Sequence, residues 1–169
     1  MGERRGSQCD QTGMKFVCDS MLGRLARWLR ILGFDCTYEG EGGESALLRL
    51  SVSEERTILT RNRKLARAHP ERSMWIESER VEGQLSEMDR SLHLRRRAVP
   101  FSRCSVCNAP LIPATRERVK GKVPYYVYRT CEAFSYCPVC HHHYWEGTHH
   151  EAIKRKMTEL LKWPEDWAD

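Results

Sequence analysis

Two Cys-x-x-Cys pairs, Cys104-Ser-Val-Cys107 and Cys137-Pro-Val-Cys140, decide how the second half of the chain folds. Each pair can place two sulfur atoms on one tight turn, and the pairs lie about thirty residues apart, as in zinc ribbons. Four thiolates from two facing turns form the tetrahedron that zinc prefers. The alternative is a pair of disulfides, which would need an oxidising compartment. We therefore expect a structural zinc ion bound by Cys104, Cys107, Cys137 and Cys140.

The residues around these pairs complete the predicted ribbon. The segment Val123-Pro-Tyr-Tyr-Val-Tyr128 is rich in aromatic and β-branched residues and predicts a strand. Three histidines at 141–143 follow the second pair, and we expect a surface run because the four-cysteine set is already complete. Tyr144 and Trp145 are predicted to pack the ribbon onto the rest of the chain, which we favour over a role in stacking bases.

The composition is that of a globular protein. The chain has 169 residues, of which 40% are hydrophobic and 30% charged, enough for one ordinary domain and a small metal-bound module. No apolar run approaches the length of a membrane span. Residues 1–14 are polar, which argues against a secretory signal peptide and predicts a flexible leader. We expect a cytoplasmic protein whose thiols stay reduced or bind metal, with Cys18 and Cys36 as small core residues.

Positive charge is concentrated in one segment. The net charge is +5, but between Arg90 and Thr130 ten basic residues accompany a single acid, Glu117. Such a block is typical of a surface that binds a polyanion, and a solvated linker is the alternative. Because tyrosines and prolines are interspersed in the same segment and could stack on bases, we favour a nucleic acid as the partner.

Short apolar runs alternate with helical patterns before residue 98. This alternation predicts a parallel α/β sheet with helices on both faces. Ser20 is a plausible cap of the first helix and Gly33 its C-terminal cap. The basic run at 95–97 marks the end of a domain at 15–98, before the ribbon with a C-terminal helix (99–163) and a tail (164–169). The predicted strands are 15–18, 35–38, 57–60 and 73–76, and the helices 21–32, 44–50, 61–68, 81–94 and 149–161.

Acidic residues follow two of these strands, at the edge where ligands of parallel sheets bind. Asp19 follows the first strand and is the strongest candidate, while Glu39, Glu41 and Glu44 compete for a second acidic role. Carboxylates in such a position suit Mg²⁺ or Mn²⁺, which can activate water to hydrolyse a phosphodiester. The alternatives are a carboxylate that caps a helix for Asp19 and a solvated loop for the glutamates.

Several arginines could contact phosphate groups. Arg24 and Arg27 lie with Arg30 on the polar face of the first helix. For these arginines, a solvated helix surface is at least as well supported as a contact with phosphate. Arg61 and Arg63 are better placed, because they follow the third strand.

The chain also resembles the Mut-seven C-terminal RNase domain family. The resemblance begins at the segment 16–33, Phe-Val-Cys-Asp-Ser-Met-Leu-Gly-Arg-Leu-Ala-Arg-Trp-Leu-Arg-Ile-Leu-Gly, and covers residues 15 to about 161. It continues in Ile58-Leu-Thr-Arg-Asn-Arg63, Gln84-Leu85 and Phe101-Ser-Arg-Cys-Ser-Val-Cys-Asn108. It ends in the second cysteine pair and Tyr144-Trp-Glu-Gly-Thr-His149, where His149 has no assigned role.

The resemblance implies a PIN-like nuclease domain joined to a zinc ribbon. PIN-like nucleases bind magnesium or manganese with three or four acids, the first of which corresponds to Asp19. The middle acids correspond to the loop 39–44, from which we select Glu41 and Glu44. Where the family has Thr-Arg-Asp-Arg, this chain has Asn62. Asparagine offers an oxygen without charge, which weakens binding of a divalent ion.

Three hypotheses for function follow. The first is a metal-dependent ribonuclease, favoured by Asp19 and the opening motif. The second is a PIN-like module that binds RNA without cleaving it, favoured by Asn62. The third is an adaptor that contacts proteins through the ribbon, which a steep salt dependence of RNA binding would contradict.

Overall fold

A four-stranded parallel sheet organises the first part of the chain in a computed structural model, which describes residues 13–164. The order of the strands in the sheet is β2-β1-β3-β4. All neighbouring pairs are parallel, as the alternation of elements predicted. The four strands are β1 (Lys15–Cys18), β2 (Asp35–Tyr38), β3 (Thr57–Thr60) and β4 (Ser73–Trp75).

Helices cover both faces of this sheet, as expected for strands that are apolar on each side. Phe16 and Cys18 point into the larger core, whereas Val17 between them points into a smaller core on the opposite face. Side chains of α1 and α4 contribute to the larger core, and those of α2 and α3 to the smaller one. The helices are α1 (Gly23–Ile31), α2 (Gly43–Glu54), α3 (Arg63–Ala68) and α4 (Val81–Leu92).

The predicted start of the first helix was wrong. Asp19, not Ser20, is the cap, and it precedes a short 3₁₀ turn, Ser20–Leu22, that leads into α1. The carboxylate accepts a hydrogen bond from the backbone N–H of Met21, which a residue following a strand can do because its backbone is still extended. The C-terminal cap was predicted correctly, since Gly33 follows the helix with a φ of 90°.

The second module contains a three-stranded antiparallel sheet, β5-β6-β7. The predicted strand over 123–128 was wrong, because the chain forms a helix from Tyr125 instead. Pro124 stands at its N-cap, and Val127 is its one buried residue. A short helix therefore anchors the segment with one apolar side chain, and no strand partner is required. The elements are β5 (Ile112–Pro113), α5 (Arg116–Val119), α6 (Tyr125–Thr130), β6 (Phe134–Tyr136) and β7 (His143–Trp145).

The last helix returns to the larger core. Met157 of α7 (Thr148–Leu161) is buried there, as is Trp163, which is only 2% exposed. The indole Nε1 of Trp163 donates a hydrogen bond of 2.9 Å to Asp89 on α4. The proposed division into domains stays a prediction, and the predicted leader and tail lie almost wholly outside the described residues. Among residues 13–164, no helix is long and apolar enough to cross a membrane.

The end of α1 also receives the linker to the second module. The backbone N–H groups of Val99 and Phe101 donate to the carbonyls of Leu32 and Ile31, at 3.0 and 2.8 Å. Gly33 makes this approach possible, because a Cβ built on it would lie 2.1 Å from the carbonyl oxygen of Val99.

We expect Gly33→Ala to destabilise the protein by more than the roughly 1–2 kcal/mol that a left-handed backbone alone costs. The added methyl group must displace the linker as well as adopt an unfavourable φ. Gly121→Ala is the matched control, since its φ is 73° and nothing lies within 4 Å of its Cβ position. Urea unfolding of both variants checks the difference, and equal losses of stability would contradict the steric role of Gly33.

Candidate functional site

The four predicted metal ligands form one cluster. The Sγ atoms of Cys104, Cys107, Cys137 and Cys140 all lie within 4.8 Å of one another. The distances are 3.4 Å between Cys104 and Cys140 and 3.3 Å between Cys107 and Cys137. A tetrahedral zinc ion with Zn–S bonds of about 2.3 Å requires sulfurs about 3.8 Å apart. The cluster therefore has the residue types and nearly the spacing of a zinc site.

Hydrogen bonds around the sulfurs support this interpretation. The backbone N–H of Cys107 points at Cys104 Sγ (3.4 Å), and that of Cys140 at Cys137 Sγ (3.5 Å). Tyr144 Oη lies 3.0 Å from Cys104 Sγ. Burial raises the pKa of Cys104, but the hydrogen bonds from Tyr144 and the backbone outweigh it and lower that pKa to about 6. These donors favour the thiolate form of Cys104, which is the form that binds metal. Burial and the neighbouring sulfurs raise the pKa of Cys107 and that of Cys140, the latter to about 12, so these two thiols would need a bound ion to become thiolates.

The remaining candidates for zinc ligation stay outside the cluster. The ring Nδ1 of His142 lies 3.2 Å from Cys140 Sγ, and His141 contacts the hydroxyl of Tyr136. Within residues 13–164, the four cysteines are the sole group of three or more histidine, cysteine or acidic side chains close enough to share an ion. Cys131 is separate from this group, and its Sγ contacts the carbonyl of Glu146 at 3.0 Å.

The first cysteine turn docks against β2, the edge strand of the parallel sheet. The side-chain oxygen of Asn108 accepts a hydrogen bond of 3.0 Å from the backbone N–H of Cys36. Arg30 donates to the carbonyl of Cys36 at 2.7 Å and to that of Val106 at 2.7 Å. Sequence reasoning placed Arg30 on a solvated helix face and gave Asn108 no role. The sequence clue to Asn108 is its position directly after Cys107, at the end of the cysteine turn. The backbone there has a φ of 71°, a left-handed conformation that asparagine adopts more readily than most residues.

Asp35 joins both modules in the same place. Its carboxylate lies 2.6 Å from Arg56 and 3.6 Å from Arg103, and it accepts a hydrogen bond of 2.8 Å from Asn108. Burial raises the pKa of Asp35, but hydrogen bonds from Arg56 and Asn108 dominate and hold it below its ordinary value. The side chain is therefore charged at neutral pH and binds the metal module to the sheet.

The predicted acidic residues line one crevice at the carboxyl ends of the strands. The crevice has a volume of about 390 Å³ and lies where β1 is flanked by β2 on one side and β3 on the other. This reversal of strand order is where parallel sheets open a binding site. The polar residues that line it are Asp19, Ser20, Glu39, Glu41, Glu44, Thr60 and Asn62.

Asp19 is the most firmly positioned of these acids. It is only 7% exposed. One carboxylate oxygen accepts from the N–H of Met21 at 3.0 Å, and the other accepts from the hydroxyl of Thr60 at 2.5 Å and the N–H of Arg61 at 3.1 Å. A carboxylate has about four acceptor positions, so about one remains for a ligand in the crevice. Asp19 therefore caps the 3₁₀ turn before α1, and this capping does not exclude a role in binding an ion.

The glutamates differ in how they are held. Glu39 accepts from the N–H groups of Glu41 and Gly42, at 3.1 and 2.7 Å. These backbone hydrogen bonds lower the pKa of Glu39. Glu41 and Glu44 are exposed at the mouth of the crevice. Glu39 therefore shapes the loop, while the exposed Glu41 and Glu44 line the same crevice.

Asn62 lines the crevice and caps α3. Its side-chain oxygen accepts from the N–H groups of Lys64 and Leu65, at 3.0 and 3.3 Å. Asparagine and aspartate are comparable N-caps. The fold therefore needs a hydrogen-bond acceptor at position 62, but it does not need the negative charge that an aspartate would add.

The four candidate arginines do not share one surface with the acids. Arg24 and Arg27 line a groove beside α7, away from the crevice. Arg61 lies next to Asp19 in space but forms an ion pair with Glu79 at 3.3 Å. Arg63 stacks over Trp75, with 4.8 Å from its guanidinium carbon to the ring centre. Neither Arg61 nor Arg63 lines the crevice, and Arg63 lines a separate groove with Arg67 and Trp75. Contact of these arginines with phosphate groups stays a prediction, and the side chain of His149 lies outside the described residues.

Fold and site together define an α/β domain with an acidic crevice, linked to a four-cysteine metal module. The family model of the Mut7-C RNase domain matches residues 14–157, and the chain belongs to this family. The match confirms the family that the sequence motifs indicated, and it suggests a nuclease-like function. No curated protein and no solved structure shows significant similarity to the chain.

We expect Cys137→Ala to lose zinc and to destabilise the second module, because a three-thiolate remnant leaves buried sulfurs without their shared ion. The measurement is the zinc content of the purified protein, together with its melting curve. Cys131→Ala is the control, since it removes a thiol from the same module but outside the cluster, and it should retain zinc. Full zinc content in Cys137→Ala would contradict the assignment.

Proposed function

We propose that the chain is a metal-dependent ribonuclease that hydrolyses RNA phosphodiesters in the acidic crevice. The observation that carries this proposal is the position of Asp19, a nearly buried carboxylate at the carboxyl end of the central strand β1. Membership of an RNase domain family supports RNA as the substrate. The four-cysteine cluster suits a structural zinc ion, and its reduced thiols fit a cytoplasmic protein.

The chemistry proposed for the crevice needs a divalent ion, Mg²⁺ or Mn²⁺. Such an ion lowers the pKa of a bound water and stabilises the charge that develops on phosphate. Asp19 would hold it through the acceptor position that its three hydrogen bonds leave over. Glu41 and Glu44 would complete the acidic set by turning inward. The Asn62 oxygen already accepts two hydrogen bonds from the backbone of α3, so it would contribute little to binding the ion. No covalent intermediate would be required, because the activated water would attack the phosphorus directly as the bond to the leaving sugar oxygen breaks.

The proposal also gives tasks to the residues around the acids. Thr60 and the N–H of Arg61 fix the Asp19 carboxylate, so it needs little reorganisation when an ion enters. Glu39 keeps the loop closed on the N-terminus of α2. Arg61 would contact an RNA phosphate by leaving its ion pair with Glu79, and Arg63 would do so from its position over Trp75. Arg24 and Arg27 would contact RNA only outside the crevice.

Asn62 favours a second candidate, a module that binds RNA without cleaving it. An asparagine at this place caps α3 as well as aspartate does but removes one negative charge from the crevice. A divalent ion is held less tightly when fewer carboxylates surround it. The two candidates share the fold and the partner, and they differ in whether the crevice still holds a catalytic ion.

We expect the purified chain to cut single-stranded RNA in the presence of Mn²⁺, and Asp19→Asn to reduce the rate by about 100-fold or more. Loss of a direct ligand should exceed the roughly 10- to 100-fold effect of altering its supporting residues. Glu71→Gln, which removes a carboxylate at the amino end of β4, is the matched control. Melting curves separate loss of activity from loss of folding. If neither the wild type nor the control cuts RNA while both retain it, the binding module is the correct interpretation.

We expect Asn62→Asp to strengthen Mn²⁺ activation by about tenfold, because it adds a charge to the crevice while preserving the cap of α3. Asn62→Ser is the control, since it can cap the helix without adding charge. The measurement is the Mn²⁺ concentration at which cleavage is half-maximal. An unchanged value in Asn62→Asp would show that residue 62 does not face the ion.

A further inference from the structure

The segment Arg116–Thr130, which contains α5 and α6, presents a surface that the proposed nuclease chemistry does not use. We propose that this segment, called the tyrosine platform below, is a separate binding site for single-stranded RNA. In this proposal Tyr125 and Tyr126 stack on bases, and the surrounding basic side chains contact phosphates. The choice of RNA over DNA rests on the proposed function, but the platform itself does not depend on cleavage.

Exposure of the two tyrosines is the first observation. Tyr125 is 77% exposed and Tyr126 68% exposed, although both stand on a helix that buries Val127 between them and Tyr128. Among the described residues, neither phenol ring makes a hydrogen bond or a ring contact. Two adjacent large aromatic side chains with this much solvent exposure are typical of a binding surface, because burial of each ring against a ligand would be favourable.

The core beneath the platform is complete without these tyrosines. Val119, Val127 and Phe134 are buried together, and Tyr128 packs against them. The helix α6 thus has an inner face that fixes it to the ribbon and an outer face that carries Tyr125 and Tyr126. Tyrosine has only two rotatable side-chain bonds, so rings on the outer face of an anchored helix lose little conformational entropy when they bind a ligand.

Charge is the third observation. Five basic residues and one acid, Glu117, lie within residues 116–130. Lys120, Lys122 and Arg129 lie at the surface or close to it, and no ion pair occupies them within the described part of the chain. The lysines flank Gly121, whose φ of 73° forms the turn between α5 and α6. Basic side chains without ion pairs beside exposed aromatic rings match the alternation of phosphate and base along a single strand.

Two further arginines are fixed at the edge of the platform. Arg116 lies over the ring of Tyr128, at 5.1 Å from its centre, and donates to the carbonyl of Tyr128. Arg118 lies 3.8 Å from the centre of the Tyr136 ring. Both guanidinium groups are held in stacked positions, so they add positive potential with little freedom to lose on binding.

These features favour a single strand over other partners. A duplex hides its base faces, so open rings would have nothing to stack on. Tyrosine and arginine also occur at protein interfaces, but lysine is depleted there, and five basic residues against one acid favour a polyanion over a protein partner. Stacking tolerates every base, so we expect affinity for single-stranded RNA with little preference for sequence.

The test uses the full chain with Asp19→Asn, which prevents cleavage during the measurement, and a labelled twelve-nucleotide oligouridylate. Replacing Tyr125 and Tyr126 by alanine should weaken binding by about 5- to 150-fold for each base that loses its stack. Replacing both by phenylalanine should restore binding, because phenylalanine keeps the ring. Fluorescence anisotropy gives the affinities, and a duplex of the same length should be insensitive to either change.

A matched pair of charge variants tests the role of the lysines in binding phosphate. Lys120→Gln with Lys122→Gln should lower the slope of log affinity against log salt by about 0.7 for each phosphate that is no longer neutralised. Arg72→Gln with Arg90→Gln removes the same charge next to the amino end of β4 and from α4, away from the crevice and the platform, and it should leave the slope unchanged. Equal effects of the two pairs would overturn the platform, as would alanine variants that bind like the parent or phenylalanine variants that bind like alanine.

Failure of the platform can be told apart from failure of the nuclease. If the wild type cuts RNA and the tyrosine variants bind normally, the crevice acts alone and the platform is overturned. If the wild type does not cut RNA, but the alanine variants of Tyr125 and Tyr126 lose RNA binding, the platform is supported and the proposed nuclease activity is refuted. Binding of the tyrosine face to anionic phospholipid vesicles, with no effect on RNA, would also overturn the proposal.

Discussion

The carboxylate of Asp35 is the interaction on which the arrangement of the two modules depends. It stands at the start of the edge strand β2 and contacts Arg56 from the sheet domain and Arg103 and Asn108 from the metal module. A partly buried charge of this kind is costly unless its partners are in place. Because the partners come from both modules, the charge is fully compensated only when the first cysteine turn is docked.

This docking also completes the sheet. An edge strand exposes backbone groups that invite pairing with other chains. Here Asn108 accepts from the N–H of Cys36, and Arg30 donates to its carbonyl. The side chains of Asn108 and Arg30 thus make the hydrogen bonds that a neighbouring strand would make, and Asn108 belongs to the first cysteine turn. A metal ion that orders that turn would therefore protect the sheet as well as the ribbon.

Sequence reasoning predicted the parallel sheet because buried parallel strands are short apolar runs, and Val17 and Ile58 lie in such runs. It predicted the four-cysteine cluster because ligand spacing is local. It failed where tertiary context decides the outcome. The aromatic run 123–128 has strand-like residues, but Pro124 starts a helix and only Val127 needs burial. The hydrogen bonds of Asn108 and Trp163 join residues 73 and 74 positions apart, which no local pattern encodes.

Trp163 has a consequence for how the chain folds during synthesis. It is buried against α4, yet 74 positions separate it from its hydrogen-bond partner Asp89. The whole ribbon is translated in between, so the larger core lacks Met157 and Trp163 while the sheet emerges from the ribosome. Closing so long a loop is slow relative to local folding. Prompt capture of metal by the nascent ribbon would shorten that loop and limit the time for which the apolar surface is open to aggregation.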